Sequence, residues 1–291
     1  MGWNADAFFS IGKSHMVCED YARAGFTDDR HPYAIVCDGC SSSPDTDIGA
    51  RALATSLAFQ IEDLCTGRYS ADRVMNTAAN YAYMALSAAK VGNRALDATV
   101  VAAYRVEKDG KEGVQVSMRG DGVVVARMRD GDFFIFTIDH EHNAPQYLNY
   151  DLDSKRLEGY MKKFGDKSAV RTYASKFGHD RPKDGWEPSL YAEFNGHPDD
   201  WFFDAETYDL VMVLSDGVQT FQQMVEDGTS RNLVDIPMEE VVRHLLKIKG
   251  TKGEFLKRRC HKFLTRHCVT HNWQHYDDFS AAAIWMEDPN V

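Results

Sequence analysis

Residues 33–39 read YAIVCDG and residues 208–217 read YDLVMVLSDG. Each is an apolar run of strand length that stops on Asp-Gly, and the arrangement of such runs decides the fold. Around the first, AFFSIG and DYARAGF are further short apolar runs set off by turns. From residue 45 to 66 the period becomes that of a helix, with Ile48, Leu53, Leu57, Ile61 and Leu64 on one side. A second helix is predicted over 70–90, capped by Ser70, with Val74, Ala78, Tyr81 and Ala85 at similar spacing. Between residues 97 and 139, ATVVAAYRV, VQVSMRG, GVVVARMR and DFFIFTI predict antiparallel hairpins joined by Asp-Gly turns. Beyond the second run, helices are predicted near 238–249 and 254–268, then a last strand at FSAAAIWM. Strands at both ends with helical pairs between them indicate an α+β layered fold, not a parallel doubly wound sheet.

The 291 residues hold 33 Lys and Arg against 44 Asp and Glu, a net charge of −11, and 44% are hydrophobic. This excludes a disordered chain, because enough apolar side chain is present to offset the entropy of ordering. The acidic balance argues against nucleic acid as a partner, but not against a phosphorylated substrate neutralised locally by cations. No apolar run nears the roughly 20 residues of a membrane helix, so no membrane partner is expected. MGWNADAFF lacks the pattern of a signal peptide, and the six cysteines lack small-secreted-domain spacing. They read as reduced thiols of a cytoplasmic protein. Residues 1–291 read as a single domain with a flap-like insertion at about 140–204. That insertion holds Pro145, Pro182, Pro188 and Pro198 and one short helix near 155–164, and is expected to cover the site or dock a partner.

Asp38, Asp121 and Asp216 each end an apolar run, Asp277–Asp278 precede the last strand, and Glu19–Asp20 precede an early one. If the strand ends converge, five or more carboxylates share one rim and require protons or cations. Oxygen ligands suit Mg²⁺ or Mn²⁺. Asp-Gly is also a favoured hairpin turn, and Asp109–Gly110 and Asp130–Gly131 read as turns only. Asp121–Gly122 fits a turn and a functional role equally. Asp38 and Asp216 are followed by a helical pattern instead of a returning strand, so the hairpin explanation fails there. Glu19–Asp20 and Asp277–Asp278, taken alone, read as solvated surface.

The order of the pieces resembles the metal-dependent protein phosphatases of type 2C (the PPM family), above all the bacterial branch with a Ser-His element near the start. The matching pieces are Gly12-Lys13-Ser14-His15, Cys18-Glu19-Asp20, VCDGCSSSPDTDIGARALA, Ala98-Thr99-Val100-Val101, RGDG with Asp121, Thr137-Ile138-Asp139-His140, VLSDG with Asp216, and Asp277-Asp278-Phe279-Ser280. The resemblance implies two antiparallel sheets packed as a sandwich and flanked by helix pairs, αββα. It implies that Asp38 bridges two Mn²⁺ or Mg²⁺ ions, with the Gly39 carbonyl also ligating. Asp216 and Asp277 would hold one ion, Asp20 with Glu19 would act at the other, and Asp121 matches a third, weaker site. The implied activity is that of a hydrolase, a serine/threonine phosphoprotein phosphatase. The resemblance implies that a hydroxide held between two metals about 3.5–4 Å apart would attack phosphorus, with no phosphoenzyme. The implied partners are a phosphorylated protein substrate and a kinase.

Two departures from the family pattern bear on the substrate. His15 stands nearest to an Arg that commonly contacts phosphate; it can donate to phosphate or protonate the leaving oxygen, or be a structural histidine near a turn. Ser41 and Ser42 replace two glycines of the Asp-Gly-X-Gly-Gly loop, and Cys40 stands where some relatives place an acidic His. One alternative is a catalytically weak phosphatase-fold protein that acts as a regulatory binding module. Another is a zinc or redox site built on Cys37-Asp38-Gly39-Cys40. In CHKFLTRHCVTHNWQH, the spacing of His267, His271 and His275 would align a metal face, or a surface or groove-lining one. Lys257, Arg258, Arg259, Lys262 and Arg266 form a basic patch, for an acidic partner or as a solvated helix face.

Overall fold

The computed structural model describes residues 2–140, 144–164, 170–178, 189–193, 201–226 and 231–287. Its strands are β1 (Trp3–Ser10), β2 (Tyr21–Phe26), β3 (Pro32–Gly39), β4 (Ala98–Lys108), β5 (Lys111–Arg119), β6 (Gly122–Met128), β7 (Phe133–His140), β8 (Val170–Phe177), β9 (Ser189–Glu193), β10 (Trp201–Asp204), β11 (Tyr208–Leu214), β12 (Phe221–Glu226), β13 (Arg231–Asp235), β14 (Trp273–His275) and β15 (Phe279–Met286). The helices are α1 (Thr46–Cys65), α2 (Ala71–Ala88), α3 (Ser154–Phe164), α4 (Met238–Leu245) and α5 (Phe255–Lys262). Helix α5 runs on through a π-helical stretch, Phe263–Cys268, to His271.

The seven-stranded sheet is ordered β1-β15-β11-β6-β7-β8-β9 and the five-stranded sheet β10-β5-β4-β3-β2, with a small sheet β13-β12-β14 beside them. All pairings in the two large sheets are antiparallel. Alternation along β3 sorts its side chains between two cores. Ala34 and Val36 meet Val101, Val124, Val213 and Ile284 between the sheets. Ile35 and Cys37 meet Leu53, Leu57 and Ile61 under α1 and α2. On the far side, Val123, Val125 and Met212 pack against Val241, Leu245, Leu256 and Phe263 of α4 and the α5 helix. The result is the four-layer αββα sandwich of the sequence reading. Each fully buried Leu or Ile adds about 1.5–3 kcal/mol.

The helix faces differ in detail. Ile48 is exposed, as are Tyr81 and Ala85, while Met75, Ala79, Ala82 and Leu86 are buried. The α1–α2 contact is built from alanines, which let the helices approach closely, and the larger aromatic residues turn outward. Ser70 does cap α2, accepting from the Arg73 amide at 3.5 Å. The β5–β6 connection is not a hairpin, because β5 and β6 lie in different sheets. His275 leaves the helical face of His267 and His271, because Asn272 (φ 55°) ends the helix in a left-handed residue and the chain turns into β14. Cys37 is buried under the helices and Cys40 is partly exposed; all six cysteines are free thiols.

Helix α3 lies where the short helix of the insertion is predicted, β8 and β9 extend the larger sheet, and β10 pairs with β5. The period-2 signal of these strands is short and broken by turns, which hides it in sequence. Much of 140–204, with Pro182, Pro188 and Pro198, lies outside the described residues. Arg156 of α3 makes a bidentate pair with Asp97, at 2.8 and 2.9 Å, tying the insertion to the chain just before β4. No helix among the described residues is long and apolar enough to cross a membrane.

Candidate active site

Antiparallel register brings the sequence-predicted acids to one end of the sandwich. Tyr21 pairs with Cys37, so Asp20 sits opposite Asp38. Leu214 pairs with Ala281 and with Val123, so Ser215 and Asp216 emerge beside Ser280 and beside the start of β6, which follows Asp121. Ser10 pairs with Phe279, which sets Gly12 against Asp277 and Asp278. Asp121 thus occupies a crossover between sheets and not a tight turn within one.

Two connected groups result. In the first, Asp38 lies among Asp20, Asp216 and Asp121; burial first, then their charges, push its pKa well up. Asp20 is 1% exposed. Burial raises its pKa, hydrogen bonds from Ser215 and Ser280 oppose the rise, and the charges of Asp278 and Asp216 add to it, for a value of about 7. Its Oδ2 is buried without a hydrogen-bond partner.

In the second group, the Asp278 carboxylate accepts the amides of Gly12 at 2.7 Å and Glu19 at 2.5 Å. His15 places Nδ1 3.1 Å from Asp278 Oδ2 and Nε2 3.2 Å from Asp277 Oδ1. Burial disfavours the charged ring, but the hydrogen bond and charge of Asp278, with Asp277 and Glu19, prevail and raise its pKa. Glu19 accepts from Thr46 Oγ1 at 3.0 Å, and burial raises its pKa. The Lys13 and Ser14 amides donate to the His275 and Tyr276 carbonyls, each at 3.1 Å. The loop carrying His15 is therefore fastened to the segment before β15.

The sequence reading placed Asp278 beside Asp277 but gave it no role of its own; the structure makes it the anchor of the Gly12 and Glu19 amides. The signal was present: Asp278, Ser280, Ala282, Ile284 and Met286 alternate on one buried face of the last strand. Two site glycines have steric causes. A Cβ on Gly39 would lie 2.8 Å from the Glu19 carbonyl oxygen, and one on Gly217 would lie 1.7 Å from that of Asp278. At the hairpin positions Gly110 and Gly131 the requirement is conformational, with φ of 76° and 95°.

The donors here are oxygens, with His15 at the margin. Crowded carboxylates with raised pKa values and an unpartnered buried oxygen fit hard divalent cations. Among the described residues, His15, Glu19 and Asp278 also offer ligand atoms within 4.8 Å of one another.

The sequence profile of protein phosphatase 2C matches residues 11–265. The chain belongs to the protein phosphatase 2C family. Its fold is similar to that of a bacterial serine phosphatase, with TM-score 0.52, 15% identity and 99% of each chain covered. It is similar to the Staphylococcus aureus serine/threonine phosphatase Stp1, with TM-score 0.50 and 14% identity over 99% of this chain and 96% of the other. The S. agalactiae serine/threonine phosphatase gives TM-score 0.50 and 13% identity over 98% and 100%. No curated protein matches. Within the protein phosphatase 2C fold, the acidic end of the sandwich is where strand ends from both sheets meet.

Proposed function

We propose that this chain is a Mn²⁺- or Mg²⁺-dependent phosphatase acting on phosphoserine and phosphothreonine in proteins. The observation that supports this most is Asp20, buried among carboxylates with no cation beside it among the described residues. Asp38 would be shared by two ions, with the Gly39 carbonyl as a further ligand; Asp216 and Asp277 would hold one ion, Asp20 with Glu19 would act at the other, and Asp121 would serve a third. Such ions, when bound, neutralise phosphate charge and lower the pKa of water, which hydrolysis of an anionic ester requires. The chain's own residues then position and exclude. Asp278 holds the Gly12 and Glu19 amides and so fixes the loop. His15, with its two ring nitrogens set against Asp278 and Asp277, is held as a cation at the edge of the rim, where its charge attracts a phosphate. Cys40 lies beside Ser42 and Ser43; burial works against its thiolate, yet their hydrogen bonds and that of Tyr147 lower its pKa.

The substrate is a phosphoprotein whose phosphate a kinase supplies, and six free thiols suit a reducing cytoplasm. The test is a Mn²⁺ titration of hydrolysis of an aryl phosphate and a phosphothreonine peptide. Asp38→Asn and Asp216→Asn should each lower the rate by on the order of 10²–10³-fold. Wild-type protein that binds Mn²⁺ without turnover would instead identify a regulatory module. Unchanged rates in both variants would remove these carboxylates from the chemistry.

A further inference from the structure

Charge is distributed unevenly along this chain. Residues 241–271 contain nine Lys and Arg and a single acidic residue, Glu254, in a protein of net charge −11. Glu254 is already taken, pairing with Lys257 at 2.7 Å. Between α4 and the π-helical continuation of α5 lies an open cavity of about 310 Å³, lined by His244, Lys247, Arg259, Lys262, Arg266 and His267 among others. No carboxylate lines it. Among the described residues, Lys247, Lys262 and Arg266 have no ion-pair partner.

The rings beneath these cations are stacked. His244 and His267 have centroids 3.7 Å apart, His267 and His271 4.0 Å, and Trp273 meets His267 edge-on at 4.7 Å. His267 Nε2 is buried without a partner. Burial first, then the positive field of His267, Lys247, Arg259 and His271, pushes the His244 pKa down to about 4. Among the described residues, no acidic group lines the cavity to neutralise its positive potential. A metal cation would add to that repulsion, so the histidine stack does not suit one. An anion would relieve it, and a phosphoryl group suits an Arg fork, lysine ammonium groups and the adjoining Thr270 hydroxyl.

We infer that this cavity is a phosphoryl-binding site separate from the carboxylate rim. The two are joined by one short strand. Trp273 packs against the histidine stack, and His275 Nδ1 lies 2.9 Å from the Asp277 carbonyl oxygen. Asp277 lies four residues along the chain from Trp273, at most about 13 Å when extended. A protein bearing two phosphoryl groups can therefore reach both places; that source of the ligand, unlike the site itself, rests on the phosphatase reading.

Binding is read by calorimetry on the full chain in EDTA, where the carboxylate rim has no cation to attract phosphate. The probes are inorganic phosphate and a phosphothreonine peptide, each with wild type and the Lys262→Ala/Arg266→Ala variant. Both substituted side chains are exposed, and thermal melting checks that the variant folds as wild type does. Saturable binding of either probe that weakens at least tenfold in the variant is expected. Tighter binding of the peptide points to the protein substrate as the source, and binding of phosphate alone points to the free ion. No saturable binding, or binding that is equal in the two proteins, overturns the site. Mn²⁺-dependent aryl phosphate hydrolysis, measured separately, should stay within about twofold in the variant. Failure of that activity in wild type would refute the catalytic reading and leave the binding result standing.

Discussion

Asp97 and Asp20 are both buried, at 2% and 1% exposure, yet their surroundings are opposite in kind. Asp97 receives both guanidinium nitrogens of Arg156 at 2.8 and 2.9 Å, Ser43 Oγ at 2.7 Å and Asn149 Nδ2 at 3.0 Å, with Arg94 at 3.8 Å. Among the described residues, the hydroxyls of Ser215 and Ser280 are the groups that favour the Asp20 charge, and its charged neighbours Asp278 and Asp216 oppose it. A buried carboxylate is tolerable when paired and hydrogen-bonded and costly otherwise. The chain solves this problem internally at Asp97 and leaves it open at Asp20. Such local conflict is characteristic of a functional site, because a bound cation or proton completes it.

The largest expected effect tests that openness directly. In EDTA, the Asp20 carboxyl holds its proton in the folded state up to about pH 7, against an ordinary value of 3.8. The folded state therefore binds more protons than the unfolded one across that window. Its contribution to stability is fully present below about pH 4 and is lost as pH rises toward 7. The slope approaches about 1.4 kcal/mol per pH unit, so up to about 4 kcal/mol in total. Asp38, raised by burial and by the same neighbours, acts with the same sign. Urea unfolding between pH 4.5 and 7.5 should show this decline, and Mn²⁺ at pH 7 should reverse it. Stability in EDTA that climbs steadily with pH would erase the contrast with Asp97.

The next effect breaks the other half of the comparison. Arg156→Ala leaves Asp97 buried with Arg94 as its remaining cation and should cost about 3 kcal/mol. It should also release α3, so protease cleavage near residues 154–164 should quicken in parallel. A loss under about 0.5 kcal/mol would mean that Asp97 does not depend on its ion pair.

The sequence made the sheets legible because their strands are apolar, short and punctuated, and because α1 carries a clean helical period. The acids could be found as strand ends, but their convergence could not, since it depends on the register between strands far apart in the chain. Asp278 illustrates the limit. Its place in the alternation of the last strand marks it as inward, yet its two amide partners, Gly12 and Glu19, lie more than 250 residues away. The strands β8–β10 were hidden for a different reason. They are brief segments in an aromatic, charged stretch, and pairing with neighbours, not their own pattern, makes them strands. The basic segment was visible as composition, but only packing shows that α4 and the α5 helix close a cavity around it.

The smallest effect has the least intuitive sign. Asp20→Asn keeps the shape of the side chain and removes the charge. The hydroxyls of Ser215 and Ser280 stay beside it, and the charges of Asp278 and Asp216 no longer face another like charge there. Metal-free protein at pH 7 should therefore gain about 1 kcal/mol, because the charge that burial and the neighbouring carboxylates disfavour is gone. The same change should weaken Mn²⁺ binding, so the stabilisation that Mn²⁺ gives wild type should shrink in the variant. This is the trade between stability and function expected where a site is left unsatisfied for its ligand. Asp97→Asn, made in parallel, should lower stability, because there the charge is what Arg156 binds. Two variants that both destabilise the metal-free protein equally would show that Asp20 is a structural acid of the same kind as Asp97.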